Sequence, residues 1–300
     1  MNRVKQPLEF APMNRIALIG PGAIGGLVTT WLCQNRQNEV TVCARTPLRQ
    51  LQMQTPYGSI TAQPEVLLAP HESKAMDWVL VATKAYDSTA AAQWFPSLLA
   101  DHTRVAVLQN GVDHVERFSA LLPAERILPV IVDCPTERES PEIIIQRGEV
   151  TVVVPRSEAG ADFCELFADT QINASQHEDF QTAAWSKLCI NAAGVVNALT
   201  GKPAGIANDP EAAKLMRLIV KETVAVGRAE GAALTDDMAD EVVNIYRSQP
   251  SDSVNSLLAD RLAGRPMEVD IRNGVIVRLG KKHGIPTPYN EMAVSLLKTM

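Results

Sequence analysis

The sequence predicts an α/β domain built on a doubly wound parallel sheet, followed by an all-helical C-terminal domain. Three observations carry this expectation. First, short apolar runs at residues 15–19, 39–43, 78–83, 104–108 and 127–132 lack polar alternation. Strands of that kind are buried on both faces, as in parallel sheets covered by helices. Second, the run at 15–19 meets Gly20, and residues 23–33 then repeat apolar side chains at three and four through Ile24, Leu27, Val28, Trp31 and Leu32. Third, from about Gln181 onward the β-branched runs give way to long helical patterns.

These patterns set the expected elements. Segment 149–155 (EVTVVVP) reads as a further strand at an antiparallel edge. Helices are expected over 182–196, over 209–230 closed by Gly231, and over 235–247 with a Thr-Asp-Asp start as its cap. A fourth covers 251–263, stopped by Gly264 and Pro266. A fifth covers 267–283, ended by Gly284. A sixth starts at Pro288, a residue suited to a first helical position. The boundary is expected near residue 178, giving a nucleotide-binding domain over 1–178 and a helical substrate and dimerisation domain over 179–300.

Composition narrows the function. Hydrophobic residues make up 46% of the 300 and charged residues 21%, enough for two ordinary domains. The net charge of −6 excludes a strongly basic nucleic-acid footprint. No uncharged apolar run reaches the roughly 18 residues a membrane helix needs. Residues 1–13 read as an extension, with Met13 an alternative start, because they lack the apolar core of a secretory signal. Five scattered cysteines without a C-x-x-C pair argue against a disulfide framework or a metal site, and for a cytoplasmic setting.

Gly20-Pro21-Gly22-Ala23-Ile24-Gly25 is G-x-G-x-x-G between an apolar strand and an amphipathic helix. That context marks a Rossmann-type dinucleotide site. The first glycine makes the turn, the second admits a pyrophosphate, and the third lets helix and strand approach. The second strand ends Val42-Cys43-Ala44-Arg45, without the acid that would hold a ribose 2′-hydroxyl. Arg45 there suits a 2′-phosphate, which favours NADP(H) over NAD. Lys84, after another strand, also stands where a phosphate could be reached.

Lys187 and Asn191 share one helix face at i and i+4. A partly shielded lysine can donate a proton and an asparagine can hold a substrate oxygen. From spacing alone the pair reads equally as an amphipathic helix with Lys187 on its wet side. Ser256 and Glu268 read by themselves as a helix-surface serine and an acid near a helix N-terminus. Since Gly264 and Pro266 break the helix between them, they could converge only across a turn.

Together these pieces resemble the ketopantoate reductases. The matching series is the glycine loop, Arg45, Thr83-Lys84-Ala85, Gln109-Asn110-Gly111, Trp185-x-Lys187-Leu188, Asn191, Ser256, Glu268 with Asn273-Gly274, and His283 through Pro288. The resemblance implies NADPH-dependent reduction of a 2-keto acid, with Lys187 as general acid. It places Asn110 near the nicotinamide, Asn191 and Ser256 on the substrate, Glu268 at the same cleft against substrate or cofactor, and Lys84 and Arg45 on the nucleotide. A homodimer through the helical domain is compatible with it.

The sequence departs from the family pattern where a second asparagine is expected one turn after Asn191. Gly194 or Val195 stands there, and Asn197 could partly substitute only from a position shifted by two, about 200° around a helix. Ala204 replaces a further asparagine. Ketopantoate is therefore less firmly implied than the reduction of a 2-keto acid. The competing readings are a two-domain dehydrogenase for a 3-hydroxy acid or opine, and a non-catalytic NADP-binding sensor.

Overall fold

The computed structural model describes residues 13–300; the rest of the expected extension lies outside the described residues. Six strands form one parallel sheet: Asn14–Ile19, Asn38–Cys43, Glu65–Leu67, Trp78–Val81, Arg104–Val107 and Ile127–Pro129. Numbered along the chain, they lie side by side as 3-2-1-4-5-6. This is the doubly wound order of dinucleotide-binding domains. Ile16, Leu18, Leu80 and Ala106 pack on one face with Leu27 and Val28, while Ala17, Val79, Val81 and Val105 pack on the other with Phe95 and Phe118. Burial on both faces explains the missing polar alternation.

A second sheet covers the outer side of helix Ala23–Leu32. It runs Thr136–Arg138, Ile143–Gln146, Leu51–Thr55, Gly58–Ala62. Gly26 permits the close approach, since a Cβ there would lie 2.7 Å from Ile144 Cδ1. Trp31 Nε1 donates to Gln146 Oε1 at 3.0 Å across the same interface.

Several expected elements differ. The run 127–132 is two strands: the ladder ends with Val130 N donating to Val107 O at 3.1 Å, beyond Pro129. Ile131–Asp133 turns away to a three-stranded sheet. There Val150–Pro155 is the central strand rather than an edge, parallel to Ile172–His177 and antiparallel to Ile131–Asp133. The helix expected over 182–196 is Phe180–Ala193 followed by Val195–Thr200. The helix expected over 251–263 is only Ser256–Leu262, capped by Asn255. Met238–Ser248 starts late, and no side chain caps it.

The helical part gathers around Pro210–Ala229, whose Asp209 side chain accepts from the amides of Glu211 and Ala212. Its Ala213, Met216, Ile219 and Val220 are fully buried. Gly227 lets it sit against Trp185 of Phe180–Ala193, where a Cβ would lie 2.8 Å from Trp185 Cε3. A five-residue π-turn, Asp270–Gly274, precedes Val275–His283, and Gly284 ends that helix at φ +67° as expected. Pro288–Leu297 follows with Pro288 first. No helix among the described residues is long and apolar enough to cross a membrane.

Candidate active site

The glycine loop has three distinct geometries. Gly20 adopts φ +93°, and a Cβ there would lie 2.6 Å from Thr83 Cγ2. A Cβ on Gly25 would lie 2.2 Å from Gly20 O, so only glycine lets the helix start this close to the strand. A Cβ on Gly22 would meet nothing within 4 Å. The space outside that glycine is therefore open to a ligand. Helix Ala23–Leu32 begins there with no side-chain cap and no acid in its first turn. Its free amides and the positive end of its dipole suit an anion. Pro21, Ala23 and Ile24 complete the loop. Arg45 follows the neighbouring strand with its side chain 85% exposed, and its Nη2 lies 3.6 Å from Asp87 Oδ2.

Lys84 and Glu268 meet directly. Lys84 Nζ donates to Asp260 Oδ2 at 2.7 Å and to Glu268 Oε2 at 3.2 Å. Glu268 Oε1 accepts the Ala85 amide at 2.9 Å. Asp260 Oδ1 in turn accepts from Arg265 Nε at 2.9 Å. Burial alone would lower the Lys84 pKa, but Glu268 and Asp260 outweigh it and hold the ammonium above its ordinary range. Both carboxylates are almost fully buried. Asp260 was absent from the sequence reading. Its spacing of four from Ser256, on one helix face, was the available signal.

A small open pocket lies where the parallel sheet's carboxyl edge faces helix Phe180–Ala193. Asn110, Gly111, Lys187 and Asn191 line it, with Val130, Val132 and Leu188. Gly111 takes φ +109°, which turns the chain out of its strand. Gln109 fixes that turn: its Nε2 donates to Thr83 Oγ1 at 3.0 Å and its Oε1 accepts from Arg117 Nη1 at 2.5 Å. His114 Nε2 lies 2.7 Å from Gln109 O. Burial, assisted by the Arg117 guanidinium, pushes His114 down to about 4, so at neutral pH it is an uncharged donor to that carbonyl. Lys187 Nζ lies 2.7 Å from Asp133 Oδ1, on the strand that leaves the parallel sheet after Val130. Asp133 was not visible as a site residue from sequence.

Ser256 and Asn191 are joined by Arg272, another residue the sequence reading missed. Arg272 Nη2 donates to Asn191 O at 2.7 Å and Asn191 Oδ1 at 3.3 Å, and Nη1 lies 3.4 Å from Ser256 Oγ. The positions where family asparagines are absent carry no polar replacement. Val195 and Ala204 are buried among apolar side chains. Asn197 is fully buried, and its Nδ2 donates to Lys202 O at 3.0 Å, away from the pocket. Gly194 is a tight point, since a Cβ there would lie 2.5 Å from Tyr246 Oη and 2.9 Å from Asn255 Nδ2.

A doubly wound sheet with an open glycine loop, facing a lysine and two asparagines on a shared pocket, defines the class of two-domain α/β proteins built around a dinucleotide. Comparison with known proteins resolves the family. The family described as "Ketopantoate reductase PanE/ApbA" matches residues 16–159, and "Ketopantoate reductase PanE/ApbA C terminal" matches residues 179–300. The chain is 53% identical over 285 residues to a 2-dehydropantoate 2-reductase of Caulobacter vibrioides, covering 95% of this chain and 98% of the relative. It is 39% identical to the 2-dehydropantoate 2-reductase of Mycobacterium tuberculosis, over 94% of this chain and 96% of that one. A PanE/ApbA family ketopantoate reductase structure from Ralstonia eutropha JMP134 superposes with a TM-score of 0.86 at 29% identity, covering 95% and 97% of the two chains. The chain belongs to the ketopantoate reductase family.

Proposed function

We propose that the protein reduces 2-dehydropantoate to pantoate with NADPH, with Lys187 as the general acid. The observation that carries this reading is the convergence of Asn110, Lys187 and Asn191 on one pocket beside the glycine loop's domain. Residues 1–178 take the dinucleotide and residues 179–300 supply the proton donor. The open face at Gly22 fits a pyrophosphate, and the exposed Arg45 fits a 2′-phosphate. When bound there, NADPH would supply the hydride for the keto carbon.

The chain's own residues manage the oxygen and the proton. Lys187 donates a proton to the carbonyl oxygen as that oxygen gains electron density, so the alkoxide need not accumulate. Asp133 holds the ammonium in place at 2.7 Å. The lysine, left neutral, recovers its proton from solvent, since its side chain remains 25% exposed. Asn110 and Asn191, which line the pocket, hold the reacting oxygens with their amides. Both oxygens of Glu268 are engaged by Lys84 and Ala85, so its first role is to hold the strand end on the helical domain.

The test follows NADPH absorbance with 2-dehydropantoate, then with a panel of 2-keto acids, each repeated with NADH. Efficient turnover of 2-dehydropantoate with NADPH supports the reading. Binding of NADPH with no turnover of any keto acid fits the non-catalytic sensor instead.

A further inference from the structure

We propose that Arg272 is the residue that binds the substrate's carboxylate, a role that rests on the 2-keto acid reading above. Arg272 lies on the π-turn with its residue surface only 3% exposed. Among the described residues, no acidic side chain comes within ion-pairing distance of its guanidinium, unlike Lys84, Lys187 and Arg265 beside it. Its Nε has no hydrogen-bond partner. A buried charge without a counter-charge is strongly unfavourable, and a protein retains one where an anion will arrive.

The surroundings do not neutralise it. Asp260 and Glu268 act on Arg272 at longer range. Both are already engaged, by Lys84 and Arg265 and by Lys84 and the Ala85 amide respectively. Tyr246 packs nearby, but its hydroxyl donates to Ile190 O at 3.0 Å. The cluster therefore holds one cation more than it holds acids, and a monoanionic keto acid supplies the missing charge.

Asn191 connects this charge to the pocket. One edge of the guanidinium, Nη2, is anchored on Asn191, which lines the pocket. The other terminal nitrogen, Nη1, points toward the exposed Ser256 with only a long contact of 3.4 Å. Bracing helix Phe180–Ala193 does not require a cation, because the neighbouring Asn273 braces the next carbonyl, Ala192 O, with a neutral amide at 3.2 Å. Gly194 leaves the room, as a Cβ there would lie 3.2 Å from Arg272 Nη2. A carboxylate reaching Nη1 would find Ser256 Oγ as a second donor, and Asn191, which Arg272 holds, is one turn from Lys187 on the same helix.

Calorimetric titration of the NADP⁺-loaded enzyme with pantoate and with its primary amide tests this. Wild type is expected to bind the acid at least tenfold more tightly than the amide, the usual scale of a charged hydrogen bond. Arg272→Met should abolish that preference by weakening the acid alone, with the affinity for NADP⁺ unchanged. Arg272→Lys should keep part of the preference. Equal weakening of acid and amide, or a preference that survives in Arg272→Met, would overturn the proposal while leaving the reductase reading intact. Wild type that binds neither ligand and turns over no keto acid would overturn both. Should Arg272→Met not fold, a wild-type ternary structure decides: a carboxylate oxygen within about 3 Å of Nη1 supports the assignment, and one bound only by other groups contradicts it.

Discussion

Lys84 Nζ reaches 2.7 Å from Asp260 Oδ2, joining the carboxyl edge of the parallel sheet to the short helix Ser256–Leu262. Glu268 closes the same contact from the far side of Gly264 and Pro266, at 3.2 Å. A lysine from the other half of the chain thus ties together Asp260 and Glu268, which lie on the two sides of the helix break at Gly264 and Pro266.

Lys84→Met should leave two buried carboxylates facing each other. Breaking a buried pair costs about 3–5 kcal/mol, and partial exposure of Lys84 reduces that to roughly 1–2 kcal/mol. Urea denaturation would read the loss. The raised pKa gives the pH sign: this contribution is fully present below the unfolded lysine value and disappears only as pH rises above it. The difference between wild type and Lys84→Met should therefore stay constant near neutrality and shrink in strong alkali.

Acid should act through His114. Its folded value of about 4 lies below the unfolded 6.5, so the unfolded chain binds more protons between those limits. Stability is then complete above pH 6.5 and falls on acidification toward pH 4 by about 3 kcal/mol from this residue. His114→Gln should show a shallower loss over that window. An unchanged slope would mean the ring titrates normally.

The glycine loop separates folding from ligand approach. Gly25→Ala should destabilise the protein outright, because its Cβ would overlap Gly20 O at 2.2 Å. Gly22→Ala should melt at the wild-type temperature yet bind NADPH at least about tenfold more weakly, since its Cβ meets only the space kept for the pyrophosphate. Comparing Tm with NADPH titrations of both variants checks the contrast.

Arg45→Ala should leave stability unchanged, given a side chain 85% exposed. Its affinity for NADPH should fall by about tenfold or more while that for NADH stays the same. Equal loss for both cofactors would remove Arg45 as the 2′-phosphate contact.

How much of this was legible from sequence follows the range of the forces involved. The glycine loop, the strands at 15–19 and 78–81 and the Gly284 stop were legible because each depends on neighbours in the chain. The sheet over Leu51–Thr55 and Gly58–Ala62 was not: Gln52 and Gln54 do alternate with buried Leu51 and Met53, but over five residues only, and the strand that pairs with them, Ile143–Gln146, is remote in sequence. Asp133, Asp260 and Arg272 were hidden for another reason. Each is an ordinary charged residue until tertiary packing brings it to Lys187, Lys84 or Asn191. Gly194 looked like a lost polar contact, and the structure adds that Tyr246 and Asn255 already fill the space beside it.

The central claim is that Lys187 protonates a keto acid's oxygen in the pocket shared with Asn110 and Asn191. The most direct measurement is the steady-state rate of 2-dehydropantoate reduction by Lys187→Ala, alongside its NADPH affinity. The account predicts a kcat lower by about 10²-fold or more with NADPH binding unchanged. A variant that turns over at close to the wild-type rate would contradict it.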